Sequence, residues 1–215
     1  AADCADIAAT KRCLAALPTP VARGSVTAAT LDCGESGSTL RFLAPLAAAL
    51  GVKATYVRRG RLAERPMIDY DGLAAGVHEL RGDVSSQFVT GLLFALPLMD
   101  GDSEIRFTTP LQSRGYVDMT LDVIRAFGIR VTEAEWGFAI PGNQRYRAPA
   151  TPVSPEGDWS GAAFWFAANA LGSEIQVAGL AANSHQPDRV VCELIDRIRE
   201  GREHVDVSGC PDLYP

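Results

Sequence analysis

Three times along the chain a knot of small polar residues runs into an apolar, alanine-rich stretch. Gly34-Glu35-Ser36-Gly37-Ser38-Thr39-Leu40-Arg41 precedes residues 42–50, Gly82-Asp83-Val84-Ser85-Ser86-Gln87-Phe88 precedes 89–96, and Gly157-Asp158-Trp159-Ser160-Gly161 precedes 162–171. Polar capping residues followed by an apolar run predict a helix that starts at the surface and dives inward. The central one, with no proline until Pro97, should be almost wholly buried. Each run is followed within a few residues by an alternating segment of strand type, so one module is reused. The spacing is too long and irregular for a solenoid. The pattern predicts an α+β fold of βα-containing units, with buried helices covered by outer strands.

Other segments fall between these modules. Residues 3–17 read as an amphipathic helix with Cys4, Ile7, Ala8, Leu14 and Leu17 on its apolar face, stopped by Pro18-Thr19-Pro20. Residues 21–31 read as strand and turn, and further strands are predicted at 52–57, near Leu80, at 105–108 and at 174–177. A hairpin is predicted around Glu135-Trp136-Gly137. Helices are predicted at 67–75, through Met119, Leu121, Val123, Ile124 and Phe127 with Gly128 as cap, and through Val190, Val191, Leu194, Ile195 and Ile198. The cluster Pro149, Pro152 and Pro155 marks a crossing, which divides a first half, 1–154, from part of a second, 155–215.

Composition narrows the class. In 215 residues, 47% hydrophobic content is ample for a core, and no run approaches the ~18 apolar residues of a membrane span. The start of the chain lacks the charged-then-apolar order of a secretion signal. A formal net charge of -6 argues against a general nucleic-acid binder, so any cationic site must be local. Five cysteines with no CxxC pair and no histidine at ligand spacing support neither zinc nor a disulfide framework. Buried free thiols in a reducing compartment, hence the cytoplasm, are expected. Cys33 has no histidine near it in sequence to activate it as a nucleophile, and His78, His185 and His204 read as surface or loop residues.

The knots carry the candidate chemistry. A helix start offers unpaired N–H groups and the positive end of the macrodipole, and Ser85, Ser86 and Gln87 add groups that can donate to phosphate oxygens. The plain alternative is that Asp83 or Ser85 caps the helix and nothing binds. Gly37 would let a bound group approach the backbone closely. Arg41, a cation in a first turn, opposes the helix dipole, so it answers a nearby carboxylate or a ligand anion. Arg58, Arg59, Arg61 and Arg65 put four arginines within eight residues of an acidic chain. They make either a solvated loop or a guanidinium fork for phosphate or carboxylate, with Arg65, fixed between Glu64 and Pro66, the leading member.

Gly34 to Arg41, Arg61 to Pro66, Gly82 to Phe88, Ser113 to Tyr116 with Asp118, Glu156 to Asp158, Asn183 to Asp188 and Pro211-Asp212 together resemble the enolpyruvyl transferases, in the branch that uses shikimate 3-phosphate. The resemblance implies two similar halves, each of three βαβαββ units with helices inside and sheets outside, of which this chain would hold one nearly complete half and part of the second. It implies transfer of the enolpyruvyl group of phosphoenolpyruvate to the 5-hydroxyl of shikimate 3-phosphate with release of phosphate, a step of aromatic amino-acid biosynthesis. By the same resemblance Ser85, Ser86 and Ser113 hold the phosphate of shikimate 3-phosphate, Gln87 contacts both substrates and Tyr116 lies against the shikimate ring. Gly37 and Arg65 bind phosphoenolpyruvate, and Asp212 is the base toward the 5-hydroxyl. No metal or organic cofactor and no macromolecular partner is implied, and the full-length protein would be a monomer.

The departures are also specific. The family's first Lys-Ser loop and the charged motifs of its C-terminal half have no counterpart here. Stretches near 18–30, 76–80 and 200–206 are shorter than the family pattern, and Glu35 stands where asparagine is usual. A partial chain, inactive alone, is therefore expected. Two other readings remain: the related UDP-N-acetylglucosamine enolpyruvyl transferase, which has a catalytic cysteine loop and lacks the Ser-Ser-Gln site, and a non-catalytic module binding a phosphorylated ligand.

Overall fold

The computed structural model describes residues 3–18, 27–202 and 204–213. Helix α1 (Ala5–Ala16) leads to β1 (Thr27–Gly34), α2 (Gly37–Ala49) and β2 (Val52–Arg58), with β1 and β2 parallel and α2 as their crossover. The expected strand-and-turn at 21–31 falls partly on residues 19–26, outside the described residues; the rest is β1. The buried row of α1 is Ala9, Cys13 and Leu17, not the predicted one, and Ile7 and Leu14 are each 48% exposed. Positions i, i+4 and i+8 form one face, and small residues at two of them let α1 settle against β1 and α2. These buried groups join Leu31, Cys33, Leu40, Leu43, Ala47, Val52 and Leu62 in one core.

Cys13 and Cys33 lie 4.0 Å apart there, and burial pushes the Cys33 thiol up to about 12. A thiol so held is protonated at neutral pH and a poor nucleophile. Cys210 is also buried, whereas Cys4 and Cys192 are exposed, contrary to the expectation of buried thiols throughout.

One turn of helix, α3 (Arg61–Glu64), follows, and then an irregular stretch where a helix at 67–75 was expected. The Asp69 carboxylate accepts the N–H of Asp71, and Gly72 takes a φ of 78°. A side chain that bonds the backbone two residues on, beside a left-handed glycine, favours a turn over a helix.

The central module is complete. In β3 (Val77–Leu80), α4 (Ser86–Ala95), β4 (Ser103–Phe107), α5 (Arg114–Ala126), β5 (Thr132–Ala134) and β6 (Gly137–Ile140), the strands form one sheet in the order β3-β4-β6-β5. β3 and β4 are parallel, and the other pairings are antiparallel. This is a βαβαββ unit. Its helices lie beneath the sheet, with Val89, Leu93, Leu96, Val117, Leu121 and Ile124 packed on Ile105, Phe138 and Ile140. Gly128, at a φ of 82°, closes α5, and the N–H groups of Gly128 and Ile129 bond the carbonyls of Arg125 and Ile124.

Two Thr residues join α4 to α5 through a 2.8 Å bond between Thr90 and Thr120 hydroxyls. The approach of α4 to α2 is closer. Pro45, inside α2, has no N–H to give the Arg41 carbonyl its helical partner, and Gly91 of α4 lies against that carbonyl.

Ser85, not Asp83, caps α4, accepting the Gln87 N–H at 3.3 Å. Asp83 instead pairs with Arg81 at 2.7 Å and accepts from Thr109, and the Arg81 bond holds its carboxyl down at about 2. A lowered folded pKa adds stability that is present above the ordinary aspartate range, near 4, and is lost as pH falls through about 2. The stability difference between the chain and its Asp83→Asn variant, measured by denaturant unfolding, should therefore shrink as pH drops from about 4 to about 2.

After the proline-rich crossing come α6 (Trp159–Ala170) and α7 (Val191–Arg199). The third module differs from expectation. α6 forms, but only Trp159 and Ala162 of it are buried, while Phe164 is 77% and Trp165 53% exposed. No strand forms at 174–177; the Asn169 side chain alone pairs with the N–H and C=O of Ile175, both at 2.8 Å. Nothing in the described chain offers that segment a strand to join. On α7, Val191 and Leu194 are buried as expected, but Ile198 is 61% exposed.

Candidate functional site

Six of the eight predicted site residues share one cleft. Ser85, Ser86 and Gln87 at the start of α4, Ser113 and Tyr116 at the start of α5, and Asp212 in the turn at Pro211–Leu213 line a cavity of about 480 Å³. Two helix N-termini therefore face one space, each offering N–H donors and a partial positive charge. Phe42, Phe94 and Met119 supply apolar wall. Ser113 stands in the left-handed region, φ 55° and ψ 37°, and its side chain makes no capping bond to α5. A non-glycine residue held there costs of order 1–3 kcal/mol and is typical of functional sites. Its hydroxyl is thereby left for the cavity.

Gly37 and Arg65 lie beside this cleft, outside its lining. A Cβ on Gly37 would stand 3.1 Å from Arg41 Nη1 and 3.7 Å from Arg65 Nη1, so two guanidinium groups converge over its backbone. Burial and, next, the charge of Arg65 pull the Arg41 pKa below its ordinary value. Among the described residues neither arginine has a carboxylate partner; Arg41 instead donates to Gln87 Oε1 at 2.5 Å and lies over the Phe88 ring. Two cations brought together over bare backbone suit an anion. Gln87 joins this seat to the hydroxyl-lined one, since its side chain is bonded to Arg41 while it lines the larger cavity.

The four-arginine fork does not act as one group. Arg59 is bonded to Asp32 through both carboxylate oxygens, at 2.8 and 3.1 Å. Arg58 donates to the carbonyl of Arg65 and so fixes that residue's backbone. Glu35 lies against Gly60, whose Cβ would meet its carboxylate at 2.6 Å, while the space over Gly37 is bordered by the two guanidiniums. Ser36 is spent on the cap of α2, accepting the Thr39 N–H.

Two residues of the site carry no assignment from sequence reasoning. Arg41 was marked only as a cation at the wrong end of a helix, and that anomaly was the signal. Asp188 lies in the turn at Pro187–Val190 and is 1% exposed. It accepts from Ser160 Oγ at 2.5 Å and from the Tyr116 hydroxyl at 3.5 Å. Its contact comes from interlocked loops: Ser184 donates to Glu156, Gln186 donates to the Gly157 carbonyl and accepts from the Trp159 N–H. Pro187 seats on Gly115, where a Cβ would meet its ring at 2.6 Å.

The family model for EPSP synthase (3-phosphoshikimate 1-carboxyvinyltransferase) matches residues 67–208. The chain belongs to the EPSP synthase family. The 3-phosphoshikimate 1-carboxyvinyltransferase of Clostridium kluyveri is 41% identical over 225 residues, which cover 86% of this chain and 52% of the relative. That of Clostridium perfringens strain 13 is 37% identical, with 86% and 53% covered. The chain spans about half the length of the curated EPSP synthase relatives it matches. An alignment of 225 positions exceeds the 215 residues of the chain, so it carries gaps on this side, in keeping with the shortened stretches read from the sequence.

The crystal structure of EPSP synthase from Acinetobacter baumannii superposes with a TM-score of 0.63 at 19% identity, covering 79% of this chain and 42% of that one. This likeness shows the α+β enolpyruvyl transferase fold. The EPSP synthase pattern of helices inside and sheets outside is met by the central module and by β1-α2-β2. Among the described residues no helix is long and apolar enough to cross a membrane.

Proposed function

We propose that this chain carries the shikimate 3-phosphate seat and part of the phosphoenolpyruvate seat of an EPSP synthase, and that it does not turn over alone. The carrying observation is the single cleft lined by Ser85, Ser86, Gln87, Ser113, Tyr116 and Asp212. In this reading Ser85, Ser86 and Ser113 hold the phosphate of shikimate 3-phosphate at two helix starts, Tyr116 covers the ring, and Asp212 removes the proton of the 5-hydroxyl. Phosphoenolpyruvate lies over Gly37 between Arg41 and Arg65, with Gln87 touching both ligands. Two multiply charged anions side by side repel one another, and the convergent cations and helix dipoles offset that repulsion. The 1–154 segment forms the substrate-binding half and 155–215 part of the second, which meets it through Pro187 on Gly115 and Asp188 on Tyr116.

Calorimetric titration of the chain tests the reading. Saturable binding of shikimate 3-phosphate, with none of UDP-N-acetylglucosamine, is expected, and preference for the latter would favour the sister family. Tight binding of another phosphorylated ligand with no affinity for shikimate 3-phosphate would leave only an anion-binding module. Gly37→Ala separates the two seats: its methyl group crowds Arg41 Nη1 at 3.1 Å. Phosphoenolpyruvate binding in the presence of shikimate 3-phosphate should weaken about tenfold, the worth of one charge-assisted bond, while shikimate 3-phosphate alone binds as before.

A further inference from the structure

Asp188 presents a problem of charge that the substrate reading leaves open. Its carboxyl is 1% exposed, one oxygen, Oδ1, is buried with no partner, and among the described residues no cation pairs with it. The other oxygen, Oδ2, receives Ser160 Oγ at 2.5 Å and lies 3.5 Å from Tyr116 Oη. The titratable groups that face it are the carboxyls of Asp158 and Asp212, the phenol of Tyr116 and the thiol of Cys210. None is a cation. A buried carboxylate with one well-made bond, an orphaned oxygen and two like charges near it is an expensive arrangement, and such a group takes up a proton instead. A neutral carboxyl leaves only a carbonyl-type oxygen unpaired, which costs far less.

The proton has one useful place. On Oδ2 it points along the bond to Tyr116 Oη, and Tyr116 also interacts with Asp212. A tyrosine hydroxyl has one proton, so if its oxygen accepts from Asp188 that proton is free for the Asp212 carboxylate. We propose that Asp188 is a positioning residue that stands protonated, donates to Tyr116 Oη, and thereby directs the Tyr116 hydroxyl proton at Asp212. Asp188 touches no substrate; it acts through Tyr116. The effect would be to hold the Asp212 carboxylate in one orientation while leaving its second oxygen for a substrate hydroxyl. The proposal rests on the shikimate 3-phosphate reading for the purpose of this chain of bonds, not for its existence. Burial, together with the charges of Asp212 and Asp158, raises the Asp188 carboxyl above its ordinary value, in the same sense.

Carboxyl carbon NMR on the unliganded 215-residue chain tests the proton, and shikimate 3-phosphate binding tests the positioning. The Asp188 signal should show a protonated carboxyl where ordinary aspartates are already ionised. Asp188→Ala should weaken shikimate 3-phosphate binding roughly tenfold, the loss of one buried hydrogen bond, and free the Tyr116 ring signals to broaden. Asp188→Asn, whose amide can donate to Tyr116 Oη and Ser160 Oγ alike, should restore binding to within about twofold. An Asp188 signal ionised together with the surface aspartates would overturn the proposal, as would an Asn variant as weak as the Ala one. The NMR titration needs no ligand. A chain that bound no shikimate 3-phosphate but kept a protonated Asp188 would thus support the bond chain and count against the substrate reading alone.

Discussion

Gly91→Ala is expected to produce the largest loss of stability of any single methyl group added to this chain's helices. A Cβ at Gly91 would lie 2.2 Å from the Arg41 carbonyl oxygen and 2.9 Å from Pro45 Cγ. Neither neighbour can swing aside, because one is backbone and the other a ring fixed within α2. The pairing has a cause in the sequence. Pro45 leaves the Arg41 carbonyl without its helical donor, and a glycine on the facing helix lets the two backbones come close enough to cover it. Overpacking costs about 1–3 kcal/mol and occasionally more, whereas replacing a helical glycine by alanine returns roughly 1 kcal/mol of propensity. With backbone on the receiving side, a net loss of about 2 kcal/mol or more is expected, or a fall in Tm of roughly 4–8 °C for a chain this size. Thermal and urea unfolding measure it. An unchanged or higher Tm would mean that α2 and α4 do not pack as described. The same variant should disturb ligand binding, since Arg41 and Gln87, the bonded pair that joins the two seats, sit on these two helices.

Arg41→Ala should cause the largest loss of affinity. Its guanidinium stands over Gly37 beside Arg65 and holds the Gln87 side chain. Removing it takes away a charge-assisted donor, worth about 1.5–3 kcal/mol, and unties an amide that lines the neighbouring seat. Phosphoenolpyruvate binding in the presence of shikimate 3-phosphate should fall by roughly tenfold to a hundredfold or more, and shikimate 3-phosphate binding by a smaller factor through Gln87. Arg59→Ala is the matched control. Arg59 is equally basic and close in sequence, but it is tied to Asp32, so its loss should leave both affinities unchanged. Equal losses from both arginines would show that general positive charge, rather than a built seat, attracts the anion.

The contrast between those arginines marks the limit of what the sequence made legible. Four clustered guanidiniums are visible in the chain, but which of them is neutralised depends on Asp32, 27 positions away across the β1-β2 pairing. Helix α4 was fully legible because its polar residues are confined to its first turn and everything after it is apolar. Helix α6 has the same composition, and it forms, yet Phe164 and Trp165 are exposed. Composition fixes what a helix is able to bury; cover has to come from another element, and the described residues provide none there. The false helix at 67–75 was a local failure of another kind, in which an Asx bond and a left-handed glycine outweighed apolar spacing. The cleft itself could be foreseen from its hydroxyls and amide, each placed at a helix start. Asp188 could not, because a buried acid is defined by what surrounds it, and Ser160 and Tyr116 come from separate parts of the chain.

Amide NMR of the chain during addition of shikimate 3-phosphate tests the shared phosphate seat most directly. Saturating shifts should centre on Ser86 and Gln87 at the start of α4 and on Ser113 to Tyr116 at the start of α5, and they should disappear together in the Ser85→Ala/Ser86→Ala/Ser113→Ala variant. Shifts confined to one of these helix starts or placed elsewhere on the surface, or shifts undiminished in that variant, would contradict it.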